Sequence, residues 1–136
     1  MHRPRIVLAD DEPILLELIQ GMLSERFDVV STVEDGTALL QAAERDHPDV
    51  IVSNITMPGV NGFEAARRIR KRSPDLPIIF ISAHTQHIYV EEAIKIGVAG
   101  YIFKGRVQSE LLPAIDCALR GETFFSKPKG GNFMLR

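Results

Sequence analysis

Residues 49–62 read Asp-Val-Ile-Val-Ser-Asn-Ile-Thr-Met-Pro-Gly-Val-Asn-Gly, and this stretch decides the fold. Val50 to Ser53 is too short and too apolar for an exposed helix, and Met57-Pro58-Gly59 stops any regular element behind it. The pattern predicts a buried strand that runs into a tight loop, with Asn54 as its last residue. In α/β proteins built on parallel strands, function gathers where strands end and loops begin. Further strand-like runs stop on polar groups: Ile6 to Ala9 before Asp10 and Asp11, Ile78 to Ile81 before Ser82, and Gly100 to Phe103 before Lys104. If these are parallel neighbours, two carboxylates, an amide, a hydroxyl and an ammonium converge on one crevice. Such a set suits phosphate and metal chemistry.

Working outward, the apolar periodicity alternates between strand and helix. Arg5 to Ala9 is the first strand, and Asp11 or Glu12 as cap with Pro13 in the first turn announces a helix. Its Ile14, Leu15, Leu18, Ile19, Met22 and Leu23 recur at helical spacing and are expected to bury against a sheet. Phe27 to Val33 forms the second strand. Gly36 opens the second helix, with Ala38, Leu39, Ala42 and Ala43 inward and its end near His47-Pro48. Asn61 caps a third helix with Phe63, Ala66 and Ile69 inward. Ile78 to Ile81 is the fourth strand, and His87 to Ile96 is a weakly apolar helix ended by Gly97. Tyr101 to Phe103 is strand five. The last helix runs from about Ser109 to Arg120 with Leu111, Leu112, Ile115, Ala118 and Leu119 inward and Pro113 near its start. Five strands alternating with five helices predict an α/β three-layer sandwich around a parallel sheet.

Composition agrees with one domain. The chain has 136 residues, a net charge of -2 and a hydrophobic fraction of 45%, with no overall bias toward nucleic acid or membrane. No apolar run reaches the roughly 18 residues of a membrane span and no signal-peptide pattern opens the chain, so a cytoplasmic location is expected. The single Cys117 lies in a helical pattern and reads as a packing residue. His2, His47, His84 and His87 show no metal-ligand pattern. Arg67, Arg68, Arg70, Lys71 and Arg72 form a dense basic run, read as a solvated face because no aromatic residue is interleaved. The domain is expected to occupy residues 1–121, and residues 122–136, including Lys127-Pro128-Lys129-Gly130-Gly131, a linker or tail.

Over roughly residues 5 to 121 the chain resembles the receiver domain of bacterial two-component response regulators, of the type joined to a helix-turn-helix output domain; Glu122-Thr123-Phe124-Phe125-Ser126 shares in that likeness. The resemblance implies the flavodoxin-like strand order 2-1-3-4-5. It also implies a phosphorelay function without turnover of its own: a phosphoryl group passes from a histidine kinase or phosphotransfer protein to an aspartate ending strand three. Asp10, Asp11 and the Thr56 backbone carbonyl would then hold Mg2+, with the acceptor position as a further ligand. Ser82 and Lys104 would bind phosphoryl oxygens, and Tyr101 would be the aromatic switch. The face of helix four, strand five and helix five, with Ile88, Val90 and Val98 outward, would support a homodimer. DNA would be reached only through an output domain outside this chain. Where many family members carry a cis-proline after the lysine, this sequence has Gly105, and a trans or looser loop is expected there.

The acceptor position itself holds Asn54, an uncharged amide and a very poor nucleophile. The expectation is a receiver that takes no phosphoryl group, binds magnesium weakly and stays near its unphosphorylated state. Two origins fit: an engineered replacement in a working regulator, favoured by the retained residues around Asn54, or a natural pseudo-receiver acting through protein partners. A flavodoxin-like small-ligand binder expects a glycine-rich loop where Asp10-Asp11-Glu12 stands. An aspartyl-phosphate phosphohydrolase is the remaining alternative.

Overall fold

A computed structural model describes residues 3–128. His2 and the Lys129-Gly130-Gly131 portion of the expected tail lie outside the described residues. The chain alternates β1 (Arg5–Ala9), α1 (Pro13–Leu23), β2 (Asp28–Val33), α2 (Gly36–Arg45), β3 (Val50–Asn54) and α3 (Gly62–Arg72). It continues with β4 (Ile78–Ser82), α4 (His87–Ile96), β5 (Gly100–Phe103), a 3-10 turn (Lys104–Arg106), α5 (Val107–Leu119) and β6 (Phe124–Phe125). Every strand pair is parallel, and the order is β2-β1-β3-β4-β5-β6.

The continuous apolar runs follow from helices covering both faces of the sheet. Val7, Ala9, Ile51, Ile78, Phe80 and Tyr101 point toward α2, α3 and α4, packing on Leu39, Ala66, Ile69 and Val90. The alternate residues Ile6, Leu8, Val50, Val52, Ile79, Ile81 and Ile102 meet Leu16, Ile19 and Leu23 of α1 and Leu111 and Ile115 of α5. Each fully buried aliphatic side chain contributes about 1.5–3 kcal/mol relative to exposure.

The structure corrects the sequence reading in several places. The described sheet has six strands rather than five, because Phe124 and Phe125 pair with Gly100 and Tyr101. Ser126 secures this edge: its N–H donates to the Tyr101 carbonyl (2.8 Å), its hydroxyl accepts from the Phe103 N–H (3.1 Å) and donates to Glu110. A two-residue strand is too short to show a period. On α1 the buried residues are Leu16, Ile19 and Leu23, while Ile14 is 84% exposed and Leu18 is exposed as well. Its apolar positions are wider than one contact face, and Leu16 sets the rotation. Val90 and Val98, expected outward, are buried; Ile88 alone of that trio stands out, at 72% exposure. Leu119 is exposed at the end of α5, and α5 starts at Val107, with Pro113 inside it on the exposed side.

The basic run on α3 is largely engaged. Arg67 pairs with Glu92, Arg68 with Glu64 (2.9 Å) and Arg72 with Glu44, and Arg70 donates to the Leu76 carbonyl (2.7 Å). At the other end of the same helix Asn61 Oδ1 accepts from the Glu64 N–H at 3.0 Å. Asn61→Ala is expected to lower folding stability by about 1 kcal/mol, read as a lower urea midpoint at unchanged slope.

Candidate functional site

The parallel register carries all strand C-termini to one edge. Asp10 follows β1, Asn54 ends β3, Ser82 ends β4 and Lys104 follows β5. The pairings β1 with β3, β3 with β4 and β4 with β5 set them side by side. The chain order reverses between β1 and β3, where open α/β sheets leave a crevice.

Asn54 is the focus of that crevice. Its Oδ1 accepts from the Ile55 N–H (2.9 Å). Its Nδ2 donates to the Thr56 carbonyl (2.8 Å), and lies 3.3 Å from Asp11 Oδ1 and 3.5 Å from Asp10 Oδ1. Asp10 is almost fully buried. One of its oxygens accepts from the Glu12 N–H (3.0 Å), whereas Oδ2 has no hydrogen-bond partner, the Lys104 ammonium standing 3.6 Å away. Burial raises the Asp10 carboxyl above the usual range, against the lowering effects of the Glu12 N–H and Lys104. Lys104 also pairs directly with Glu12.

The other predicted residues flank this focus. Ser82 is buried, and its Oγ accepts from the His84 N–H (2.9 Å). Tyr101 is fully buried, with its hydroxyl donating to the His84 carbonyl (2.7 Å) and its ring edge-on to Phe80 and Phe103. Burial raises the Tyr101 hydroxyl above its ordinary range, opposed by the Ser82 hydroxyl. The loop after Lys104 is trans at every described peptide bond and forms the 3-10 turn.

Some contributors escape the sequence pattern. Glu12 reads there only as a helix cap, yet with Asp10 and Asp11 it forms a trio whose carboxylate oxygens lie within 4.8 Å of one another. His84 stacks on Tyr89, ring centroids 4.1 Å apart, and its Nε2 lies 3.2 Å from Thr56 Oγ1. His87 instead pairs with Glu91. The Asp-Asp-Glu run was a legible signal for Glu12; nothing local to His84 announces its place over the site.

The sequence pattern of the response regulator receiver domain matches residues 6–116. The chain belongs to the response regulator receiver family. The receiver is 34% identical to the transcriptional regulatory protein DegU of Brevibacillus brevis, over 90% of this chain and 53% of that protein. It is also 34% identical to the uncharacterized transcriptional regulatory protein YxjL of Bacillus subtilis, over 89% of this chain and 56% of the relative. The chain thus spans about half the length of these curated relatives. Among solved structures, a two-component response regulator of the LuxR family from Aurantimonas sp. SI85-9A1 superimposes with a TM-score of 0.86 at 30% identity, covering 90% of the receiver and 89% of that chain. The flavodoxin-like α/β fold is therefore shared with a relative of known structure. Among the described residues, no helix is long and apolar enough to cross a membrane.

Proposed function

We propose that this receiver is the input domain of a two-component transcriptional regulator, with Asn54 at the position where the phosphoryl group would be accepted, so that this form takes none. One observation carries the reading: the Asn54 side chain lies against Asp10, Asp11 and the Thr56 carbonyl, with Ser82 at the end of the adjacent strand and Lys104 after the strand beyond it. These donors are hard oxygens, and Asp10 Oδ2 is buried without a hydrogen-bond partner, a set that fits Mg2+. Asp10, Asp11 and the Thr56 carbonyl would hold the cation, with side chain 54 beside them. Bound there, magnesium would screen charge on the transferring phosphoryl oxygens. Ser82 and Lys104 supply a hydroxyl and an ammonium for those oxygens, and Tyr101, already inward, reports on the Ser82 side through His84.

An amide nitrogen has its lone pair tied into resonance, and the Asn54 oxygen is engaged by Ile55, so the residue offers no attacking group. Asn54→Asp places a carboxylate in the same frame. Treated with a small phosphodonor and magnesium, the Asn54→Asp chain is expected to gain the mass of one phosphoryl group, while the Asn54 chain gains none. A phosphorylated Asn54 chain, or an inert Asn54→Asp chain that is folded and binds magnesium, would overturn the reading. The proposal holds whether Asn54 is engineered or natural.

Partners follow from the exposed surface. Ile14 and Leu18 on α1 support docking of a histidine kinase or phosphotransfer protein beside the site. Ile88 leaves a smaller apolar basis for a homodimer through α4, β5 and α5 than the sequence suggested. DNA contact is assigned to an output domain outside the receiver.

A further inference from the structure

The Asn54 amide nitrogen faces two carboxylate oxygens and a peptide carbonyl, Asp10 Oδ1, Asp11 Oδ1 and Thr56 O, at 3.5, 3.3 and 2.8 Å. Hard divalent cations take such an oxygen array. The opposite orientation of the amide would set its oxygen against all three acceptors and leave the Ile55 N–H without the bond it now makes at 2.9 Å. The surroundings therefore select the donor face.

An aspartate of the same shape would point an oxygen where Nδ2 now lies. It would add a negative charge beside Asp10 and Asp11 and remove the donor joining them, an arrangement that calls for a cation. With Asn54 that need is met from within the chain. Lys104 completes the compensation from the far side, pairing with Glu12 and standing 3.6 Å from Asp10 Oδ2.

We propose that the Asn54 amide is a built-in substitute for the divalent cation: it holds Asp10, Asp11 and the Thr56 loop in their assembled arrangement without metal, and a cation enters only by displacing it. This rests on the reading of those three residues as the cation's ligands. The site is then set to a metal-independent state, and its surface is available to partners at any magnesium level.

The test compares the full 136-residue chain with its Asn54→Asp and Asn54→Ala forms, melted in chelator and across a magnesium series. The Asn54 chain is expected to melt at the same temperature throughout. Asn54→Asp is expected to melt lower in chelator and to rise steadily with the logarithm of magnesium concentration above its dissociation constant. Asn54→Ala is the deciding variant, since it lacks both the donor and the added charge. If the amide substitutes for the cation, magnesium stabilises the alanine form more than the asparagine form, although alanine has lost a ligand atom. If Asn54 is only a weak metal ligand, that order reverses and the proposal fails.

Side-chain amide resonances give a second readout that does not depend on the variants folding. Those of Asn54 are expected to exchange slowly with solvent in chelator; exchange at the rate of exposed amides would overturn the proposal. Phosphoryl uptake by Asn54→Asp separates the two levels of inference. Uptake together with a stronger magnesium response of Asn54 than of alanine leaves the receiver reading standing and removes the substitute. No magnesium response in any of the three chains removes the ligand assignment, and the substitute with it.

Discussion

Gly62→Ala is expected to lower folding stability by about 3 kcal/mol or more and to disorganise the crevice at the same time. Gly62 is the first residue of α3, and a Cβ there would lie 2.3 Å from the Asn54 carbonyl oxygen and 2.8 Å from the Ile55 Cα. Both are backbone atoms, so no rotamer change relieves the clash. Nor can the helix retreat freely, because the Gly62 N–H donates to the Ile55 carbonyl at 2.6 Å and fastens α3 to the loop after β3. Relief must come from moving Asn54 or from pulling α3 off the sheet. Urea denaturation measures the loss, and Gly21→Ala is the control: Gly21 lies in α1, a Cβ there would meet nothing within 4 Å, and alanine is expected to gain about 0.5–1 kcal/mol of helix propensity. A Gly62→Ala midpoint equal to that of the parent would show that the close approach of α3 to β3 is not required.

Phe80→Ala is expected to cost about 3–5 kcal/mol. Phe80 is fully buried in β4, with its ring edge-on to Phe63 at 5.4 Å between centroids and to Tyr101 at 6.4 Å. Truncation opens a cavity bordered by the rings of Phe63 on α3 and Tyr101 on β5, on one face of the sheet. Tyr101 then loses lateral support, and its bond to the His84 carbonyl weakens with it. The chain contains no tryptophan and two tyrosines, and Tyr89 stacks on Phe63 of the same cluster, so near-ultraviolet circular dichroism reads the packing around Tyr89 and Tyr101 together. A loss below about 1 kcal/mol with an unchanged aromatic spectrum would mean that the cluster repacks around the gap, contrary to the limited relaxation of close-packed cores.

Residues 49–62 carried the architecture because a short apolar run followed by Pro58-Gly59 has few alternatives, and short apolar runs that stop on polar residues recur at β1, β4 and β5. The candidate site was legible to the same extent. Asp10, Asp11, Asn54, Ser82 and Lys104 each stand at or just past the end of such a run, so their convergence follows once the strands are parallel neighbours. Other features resisted local reading. Ile14 and Leu18 share the apolar character of Leu16 and Ile19, and no single-helix pattern says which of them the sheet covers. Val90 of α4 and Val98 after it are buried in the cluster with Ile69, Phe80 and Tyr101, and Phe124 and Phe125 become a strand only by pairing with β5.

By itself, then, the sequence determined the alternation of strands and helices, the burial of both sheet faces and the polar residues at the strand ends, since hydrophobic periodicity and chain-breaking residues act within a few positions. Tertiary structure alone decided the rotation of α1, the sixth strand, the seat of Gly62 against the Asn54 carbonyl and the place of His84 beside Thr56. It also decided which way the Asn54 amide turns. That choice depends on Asp10 and Asp11, more than forty residues away in the chain, whose oxygens reach Asn54 only when β1 and β3 lie side by side.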